Sequence, residues 1–232
     1  MTGYYSTALQ AERLRRCYEV APPRVRRYLA AEVEYAAREI GPGERVLDLG
    51  CGYGRLLGAF ATRGARVLGI DTSLASLCLA RPAARVHGAA LARMDAARLA
   101  LAPGAFDVVL ALQNGVSAFH ADPSTLLREA VRVAAPGGRV LFSTYAAAFW
   151  PERLAWFEIQ AAHGLVGEID RARTGDGVIV CRDGFTASTA RPEDFRAWAA
   201  ELGLACELAE VDGSSLFCTI RVPAAGGTGG IV

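Results

Sequence analysis

The sequence predicts an α/β fold. We expect a doubly wound, Rossmann-like sheet, mostly parallel with an antiparallel C-terminal hairpin, plus N-terminal helices and an inserted lid. Three observations carry this. Short apolar runs alternate with helical stretches between Arg45 and Thr144, the rhythm of βαβ units with right-handed crossovers. A glycine cluster, Gly50, Gly52 and Gly54, joins the first apolar run to the first of those helical stretches. After Tyr145 the alternation gives way to two hairpin signals, at Asp183-Gly184 and at Asp212-Gly213, where both residue types suit a tight turn.

The first forty residues read as helical. Pro22 and Pro23 suit a first turn, Val25, Tyr28, Leu29, Val33 and Ala36 recur at helical spacing, and Gly41-Pro42-Gly43 ends the run. The arginines here, balanced by Glu12, Glu19, Glu32 and Glu34, read as solvated helix faces. Strands are expected at Arg45–Leu49, Arg66–Ile70, Ala90–Met94, Phe106–Leu112 and Arg139–Thr144. All but the third are nearly continuous apolar runs, as parallel strands covered on both faces should be. Helices are expected between them at Arg55–Arg63, Leu74–Ala80 and Pro123–Ala134. Val178–Arg182 and Phe185–Ser188 then flank the first hairpin signal, Pro192–Leu202 reads as a helix, and Leu204–Val211 and Leu216–Val222 flank the second. Residues 1–232 are read as one domain, with 1–40 a helical cover, 146–190 the lid and 223–232 a flexible tail.

Composition removes several chemistries. None of the 25 basic residues is lysine. That excludes Schiff-base enzymes, a Walker-type phosphate loop and a kinase strand lysine. The net charge is +1, which argues against nucleic acid as a partner. No apolar run reaches the roughly 18–20 residues of a membrane span, and the start of the chain lacks the regions of a signal peptide. The six cysteines, Cys17, Cys51, Cys78, Cys181, Cys206 and Cys218, lie scattered with no C-x-x-C. A reducing cytoplasm and no metal site are therefore expected.

The sharpest motif is Val46-Leu47-Asp48-Leu49-Gly50-Cys51-Gly52-Tyr53-Gly54. Such a loop lets a ligand approach the backbone closely. Asp71 ends the second strand 21 residues after Gly50 (71 − 50), where a carboxylate can accept both hydroxyls of a ribose. A dinucleotide fingerprint would need glycine at position 55, which is Arg55. The D-x-G-x-G-x-G pattern instead resembles the class I S-adenosylmethionine-dependent methyltransferases, over roughly residues 40–145. The resemblance implies S-adenosylmethionine as cofactor. Gly50, Gly52 and Gly54 would line its methionine part, Asp48 would orient its ammonium, and Asp71 with the adjoining Thr72 would take the ribose. Asp95, Met94 and Ala96 would meet the adenine, and Gln113 would face the cofactor near the transferred methyl. Pro136-Gly137-Gly138 matches the family's turn before the fifth strand.

Methyl transfer from a sulfonium is driven mainly by positioning. His120 is the candidate general base, since histidine titrates near neutrality, and Tyr145, ending the fifth strand, is the second catalytic candidate. Phe149, Trp150, Trp156, Phe157 and His163 supply the lid, which either covers an apolar chamber or packs onto the sheet. Tyr4, Tyr5, Tyr18 and Tyr28 can close the site from the N-terminal side, and Arg182 and Glu158 can meet a charged acceptor. The weakly charged, aromatic complement favours a small molecule, a thiol or other soft nucleophile. N- or O-methylation of a small metabolite is the alternative, ahead of an NAD-type oxidoreductase, a cofactor-binding module without turnover, or RNA methylation. The expected partners are a small methyl acceptor, no nucleic acid and no membrane, in a monomer or homodimer.

Overall fold

A computed structural model describes residues 4–224. Residues 225–232, most of the expected tail, lie outside the described residues. Three helices, α1 (Tyr4–Thr7), α2 (Ala11–Glu19) and α3 (Pro23–Arg38), precede the first strand. The alternating core then runs β1 (Arg45–Leu49), α4 (Leu57–Ala61), β2 (Arg66–Asp71), α5 (Leu74–His87), β3 (Ala90–Arg93), β4 (Phe106–Ala111), α6 (Gly115–Ala118), α7 (Pro123–Val133) and β5 (Ala134–Tyr145). The insert holds α8 (Trp150–Ala162) and a short ladder of β6 (Ile179–Val180) and β7 (Thr186–Ala187). Helix α9 (Pro192–Glu201), β8 (Glu207–Val211) and β9 (Ser215–Arg221) complete the described chain.

The seven-stranded sheet has the order β3-β2-β1-β4-β5-β9-β8. All pairs from β3 to β5 are parallel, and β9 is antiparallel to both β5 and β8. The chain winds outward from β1 through β2 to β3, then returns to β4 on β1's other edge. That reversal opens a crevice at the carboxyl ends of the strands, where α/β sheets bind ligands.

Alternation within the strands serves two cores. Leu47, Leu49, Val109, Ala111 and Phe142 face α7 and α9, meeting Leu126, Leu127, Ala130, Val133, Phe195 and Ala199. Val46, Val108, Leu110 and Leu141 face the other side, meeting Ala36 of α3, Leu57 and Phe60 of α4, and Leu77 and Ala84 of α5. Val108, Val109 and Leu110 are completely buried, and each such side chain contributes about 1.5–3 kcal/mol of transfer free energy.

Helix α5 and strand β5 depart from expectation in ways that bear on the sheet. Helix α5 continues through Pro82 to His87. A proline inside a helix forfeits one ladder hydrogen bond. Here the abandoned carbonyl is that of Cys78, on the exposed side with Pro82, where solvent can satisfy it. Strand β5 begins at Ala134, before the Pro136-Gly137-Gly138 turn. Phe106 pairs with Ala134 and Val108 with Arg139, so the turn is an excursion within the strand.

The N-terminal helices and the insert pack on one another. Leu9 and Cys17 share a core with Phe157, Leu165, Ile169, Ile179, Cys181 and Phe185. Val25, Tyr28 and Leu29 of α3 join Tyr145, Phe149 and Trp156 in a second. Together they roof the crevice. No helix among the described residues is long and apolar enough to cross a membrane.

Candidate active site

The carboxyl end of β1 carries Asp48, only 2% exposed, and its Oδ2 is buried without a hydrogen-bond partner. Burial pushes its carboxyl up to about 7, an effect Arg55 opposes and Asp71 reinforces. The loop beyond it is pinned to β2. The amides of Gly50 and Cys51 both donate to the Ile70 carbonyl, each at 2.9 Å. Gly50 and Gly54 sit at φ +75° and +82°, a region that penalises side chains. Contacts add to the constraint. A Cβ on Gly50 would stand 2.6 Å from the Phe119 ring, and one on Gly54 would stand 2.9 Å from Leu57 Cδ1 and 3.0 Å from Ala80 Cβ.

Asp71 closes this loop. Its Oδ2 accepts from the Gly52 amide at 2.9 Å and its Oδ1 from the Ser73 amide at 2.7 Å. A carboxylate offers about four lone-pair sites, so each oxygen keeps capacity for a ligand hydroxyl. Burial raises its pKa. Ser73 caps α5, its Oγ accepting from Ser76 N at 3.1 Å. Farther along, Asp95 Oδ1 accepts from Ala97 N at 2.9 Å in a turn that does not continue as a helix.

The loop after β4 is held in the left-handed region at two successive non-glycine residues, Gln113 (φ 55°) and Asn114 (φ 62°). Such residues persist only where the surroundings over-determine them. The Gln113 amide donates to Ser143 Oγ at 2.9 Å and to Glu32 Oε1 at 3.2 Å. Ser143 Oγ donates in turn to Glu32 Oε1 at 2.6 Å. Asn114 accepts from Thr144 Oγ1 at 2.7 Å and donates to the Ser188 carbonyl at 2.8 Å. Glu32 is therefore no solvated charge, as its helix pattern suggested. It is fully buried, and burial raises its pKa. The Gln113 side chain accepts from Tyr18 OH at 2.6 Å, while its Nε2 is buried and unpartnered.

The loops after β1, β2 and β4 border one cavity of about 650 Å³, well within the range of small-molecule sites. Asp48, Gly50, Gly52, Asp71, Thr72, Met94, Asp95, Ala96 and Gln113, all expected to meet the cofactor, line it together. Gly54 does not line it and serves the approach of α4 and α5 instead. A second set of lining residues comes from the roof and the end of β5: Tyr5, Cys17, Tyr18, Tyr145, Trp156 and Gln160 among them. Burial raises the pKa of Tyr5, Tyr18 and Tyr145, and pushes the Cys17 thiol up to about 12. All four are neutral near pH 7.

Tyr145 stands as expected at the cavity wall, with the Arg153 guanidinium 4.5 Å from its ring centroid. Arg153 is fully buried and donates to the carbonyls of Gly177 and Ala187 at 2.8 and 2.9 Å, so it ties the β6–β7 ladder to α8. His120 is exposed, outside the cavity lining, with its ring centroid 6.3 Å from that of Tyr5. Trp156 and Phe157 line the cavity, whereas Phe149 packs on Tyr28, and His163 is exposed just beyond the end of α8. Glu158 and Arg182 form surface pairs with Arg171 and Glu168. Arg55, Leu14, Phe119 and Gln160 also line the cavity, though no local sequence pattern marked them for the site.

The family of methyltransferase domains matches residues 47–142, from β1 into β5. The chain also shares its fold with a solved S-adenosylmethionine-dependent methyltransferase of Methanosarcina mazei, at a TM-score of 0.61 and 19% identity over 82% of this chain and 97% of that one. The chain belongs to the class I S-adenosylmethionine-dependent methyltransferases. Another methyltransferase of that fold, from Mesorhizobium loti, has a TM-score of 0.58 and 21% identity over 80% of this chain and 95% of that one. Among curated relatives, a ubiquinone biosynthesis O-methyltransferase of Methylococcus capsulatus is 35% identical over 174 residues, 74% of this chain and 66% of the relative. One from Pseudomonas fluorescens is 41% identical over 105 residues, 44% of each chain. The match thus spans less than two thirds of either relative. The cofactor of this methyltransferase is S-adenosylmethionine. The cavity fits it, because the buried, unpartnered Asp48 Oδ2 calls for a cation and the Asp71 carboxylate keeps acceptor capacity beside the glycine loop.

Proposed function

We propose that this methyltransferase methylates a small, largely apolar molecule on an oxygen of phenolic character. The observation that carries the reading is the continuity of one cavity, from the glycine loop to a chamber walled by Tyr5, Tyr18, Tyr145, Trp156 and Phe157. Aromatic walls suit a flat, apolar acceptor, and the curated relatives are named O-methyltransferases. What the cofactor supplies when bound is an electrophilic methyl group on a sulfonium. The acceptor oxygen would take that methyl, and its proton would pass to solvent.

The chain's own residues orient the partners and exclude water. Asp71 and Thr72 would hold the ribose end, Met94, Asp95 and Ala96 the adenine end, and Asp48 the ammonium. Gln113, fixed by Glu32 and Tyr18, and Tyr145 stand in the cavity wall, where they would meet the acceptor. The one cavity group raised to near neutrality, Asp48, is assigned to the ammonium, while the chamber's tyrosines and Cys17 stay protonated and His120 lies outside. The acceptor must therefore ionise readily on its own, as an acidic phenol does. A small thiol meets the same demand and is the second reading.

The test is a release assay for S-adenosylhomocysteine with panels of phenols, catechols, thiols and amines of similar size. Turnover greatest with phenols or catechols supports the proposal. Turnover with thiols alone would replace it by S-methylation, and no turnover with any panel would sink both.

A further inference from the structure

Behind the acceptor chamber lies a positive charge that no acid meets. Arg153 of α8 is fully buried. Its two terminal nitrogens donate to the carbonyls of Gly177 and Ala187, and its Nε is buried without a hydrogen-bond partner. Among the described residues it makes no ion pair. The groups its charge meets are Tyr5 of α1, Tyr28 of α3 and Tyr145 of β5, all kept neutral near pH 7 by burial. The Cys17 thiol beside Tyr5 is protonated too. The acid felt by Tyr28 and Tyr145 is Glu32, whose Oε1 is already taken by Ser143 Oγ and the Gln113 amide. The Arg153 guanidinium lies 4.5 Å from the Tyr145 ring centroid and 5.8 Å from that of Phe157. Both residues line the cavity, so one aromatic layer separates this cation from the chamber.

Two carbonyls use the geometry of Arg153 but do not neutralise it, and a buried charge without a counter-charge is costly. An uncharged amide could serve the carbonyls at less cost. The charge therefore calls for an anion, and the chamber is where one can enter. We infer that Arg153 makes the chamber select its acceptor as an anion, a phenol bound as phenolate with the charged oxygen on the Tyr145 side. The inference rests on the phenol reading of the acceptor and adds which form of it binds. Arg153 is a positioning residue, acting across the Tyr145 ring and not by contact. At an effective dielectric of about 20, a unit charge about 8 Å away favours an anion over its neutral acid by roughly 10- to 30-fold. The phenol's proton has then passed to solvent before transfer, and the wall needs no base.

The test is a spectroscopic titration of para-nitrophenol, which ionises near neutrality and absorbs in the visible only as its anion. Excess protein is used with S-adenosylhomocysteine, so that no sulfonium contributes. The bound phenol should ionise about 1 to 1.5 pH units lower than in water, the same 10- to 30-fold preference. Arg153→Gln keeps an amide donor for the carbonyls, removes the charge and should abolish the shift, whereas Arg153→Lys should retain most of it. No shift in the parent, a shift that survives Arg153→Gln, or loss in both variants would overturn the inference. Should Arg153→Gln fail to fold, Arg55→Met decides, because Arg55 is the cavity-wall cation with a buried, unpartnered nitrogen. A shift that persists there supports Arg153, and a shift that disappears refutes it. If para-nitrophenol does not bind, the acidic limb of kcat for the fastest phenol reports ionisation in the bound state. That limb should lie below the phenol's own pKa in the parent and return to it in Arg153→Gln, and a limb at the phenol's own pKa in the parent refutes the selection. A protein that neither binds nor methylates any phenol is a different result, which removes the phenol reading and this inference with it.

Discussion

Replacing Asp48 by asparagine should make the ligand-free protein more stable at pH 8 and the ligand-bound protein less so. Burial lifts the Asp48 carboxyl from its ordinary 3.8 to about 7. Between those values the folded state binds a proton that the unfolded state has lost. Stability therefore falls as pH rises through that window, and the whole cost is present above about 7. The gap corresponds to roughly 4 kcal/mol, an upper figure because water can enter the open cavity. Asp48→Asn keeps the shape and removes the ionisation. The stability difference between the variant and the parent should thus widen by up to roughly 4 kcal/mol from pH 4 to pH 8, or about 10 °C in melting temperature for a chain of this size. Saturating S-adenosylhomocysteine should reverse the order at pH 8. The parent gains by mass action, whereas the variant has lost the anion that faces the ammonium. Thermal melts across pH 4–8, with and without ligand, measure both. A difference that stays constant with pH would refute the burial argument, since Asp48 would then titrate alike in both states. A variant destabilised at pH 8 without ligand would refute it too.

Asp71→Ala removes the acceptor for the amides of both Gly52 and Ser73. Calorimetric affinity for S-adenosylhomocysteine should drop by about 100-fold or more, as two charge-assisted contacts are lost with their anchor, and an unchanged affinity would contradict the ribose assignment. Gly54→Ala places a methyl 2.9 Å from Leu57 Cδ1 and 3.0 Å from Ala80 Cβ at φ +82°. Urea unfolding should show a loss of about 2–3 kcal/mol from overpacking plus left-handed strain, and a neutral result would mean that α4 and α5 separate freely.

How far the sequence reveals this molecule depends on how local each signal is. Strand β1 has the expected bounds because five consecutive residues, four of them buried, mark it. The glycine loop and Asp71 are visible because the loop and the strand end that meet are close in the chain. Glu32 shows the opposite case. It lies four residues after Tyr28, on the buried side of α3, yet its partners Gln113 and Ser143 are 81 and 111 residues away. A charged residue on an apolar helix stripe was the available sign, and charge balance with the nearby arginines concealed it. The end of α5 was hidden for a different reason. Proline is disfavoured in helices, but that preference yields when the freed carbonyl is exposed, as at Cys78. The place of His120 depends on a left-handed backbone (φ 49°) just past α6, a turn that no neighbouring glycine or proline announced.

Cost and function meet at the same residues. Among the described residues, six side chains carry a buried polar atom without a partner: Glu32, Asp48, Arg55, Gln113, Arg153 and Ser215. Three line the cavity, and two more touch its wall, Glu32 through Gln113 and Arg153 through Tyr145. Each unsatisfied group costs about 1–3 kcal/mol, and the consecutive left-handed residues Gln113 and Asn114 add about 1–3 kcal/mol each. Apolar residues at these positions would remove the expense and fill the crevice. Their absence is what the methyltransferase reading requires, because groups left short of protein partners are those a charged cofactor and a polar acceptor atom can satisfy. The free protein is consequently least stable where it works, and ligand should protect the β1 and β4 loops from hydrogen exchange more than it protects the strands that carry them.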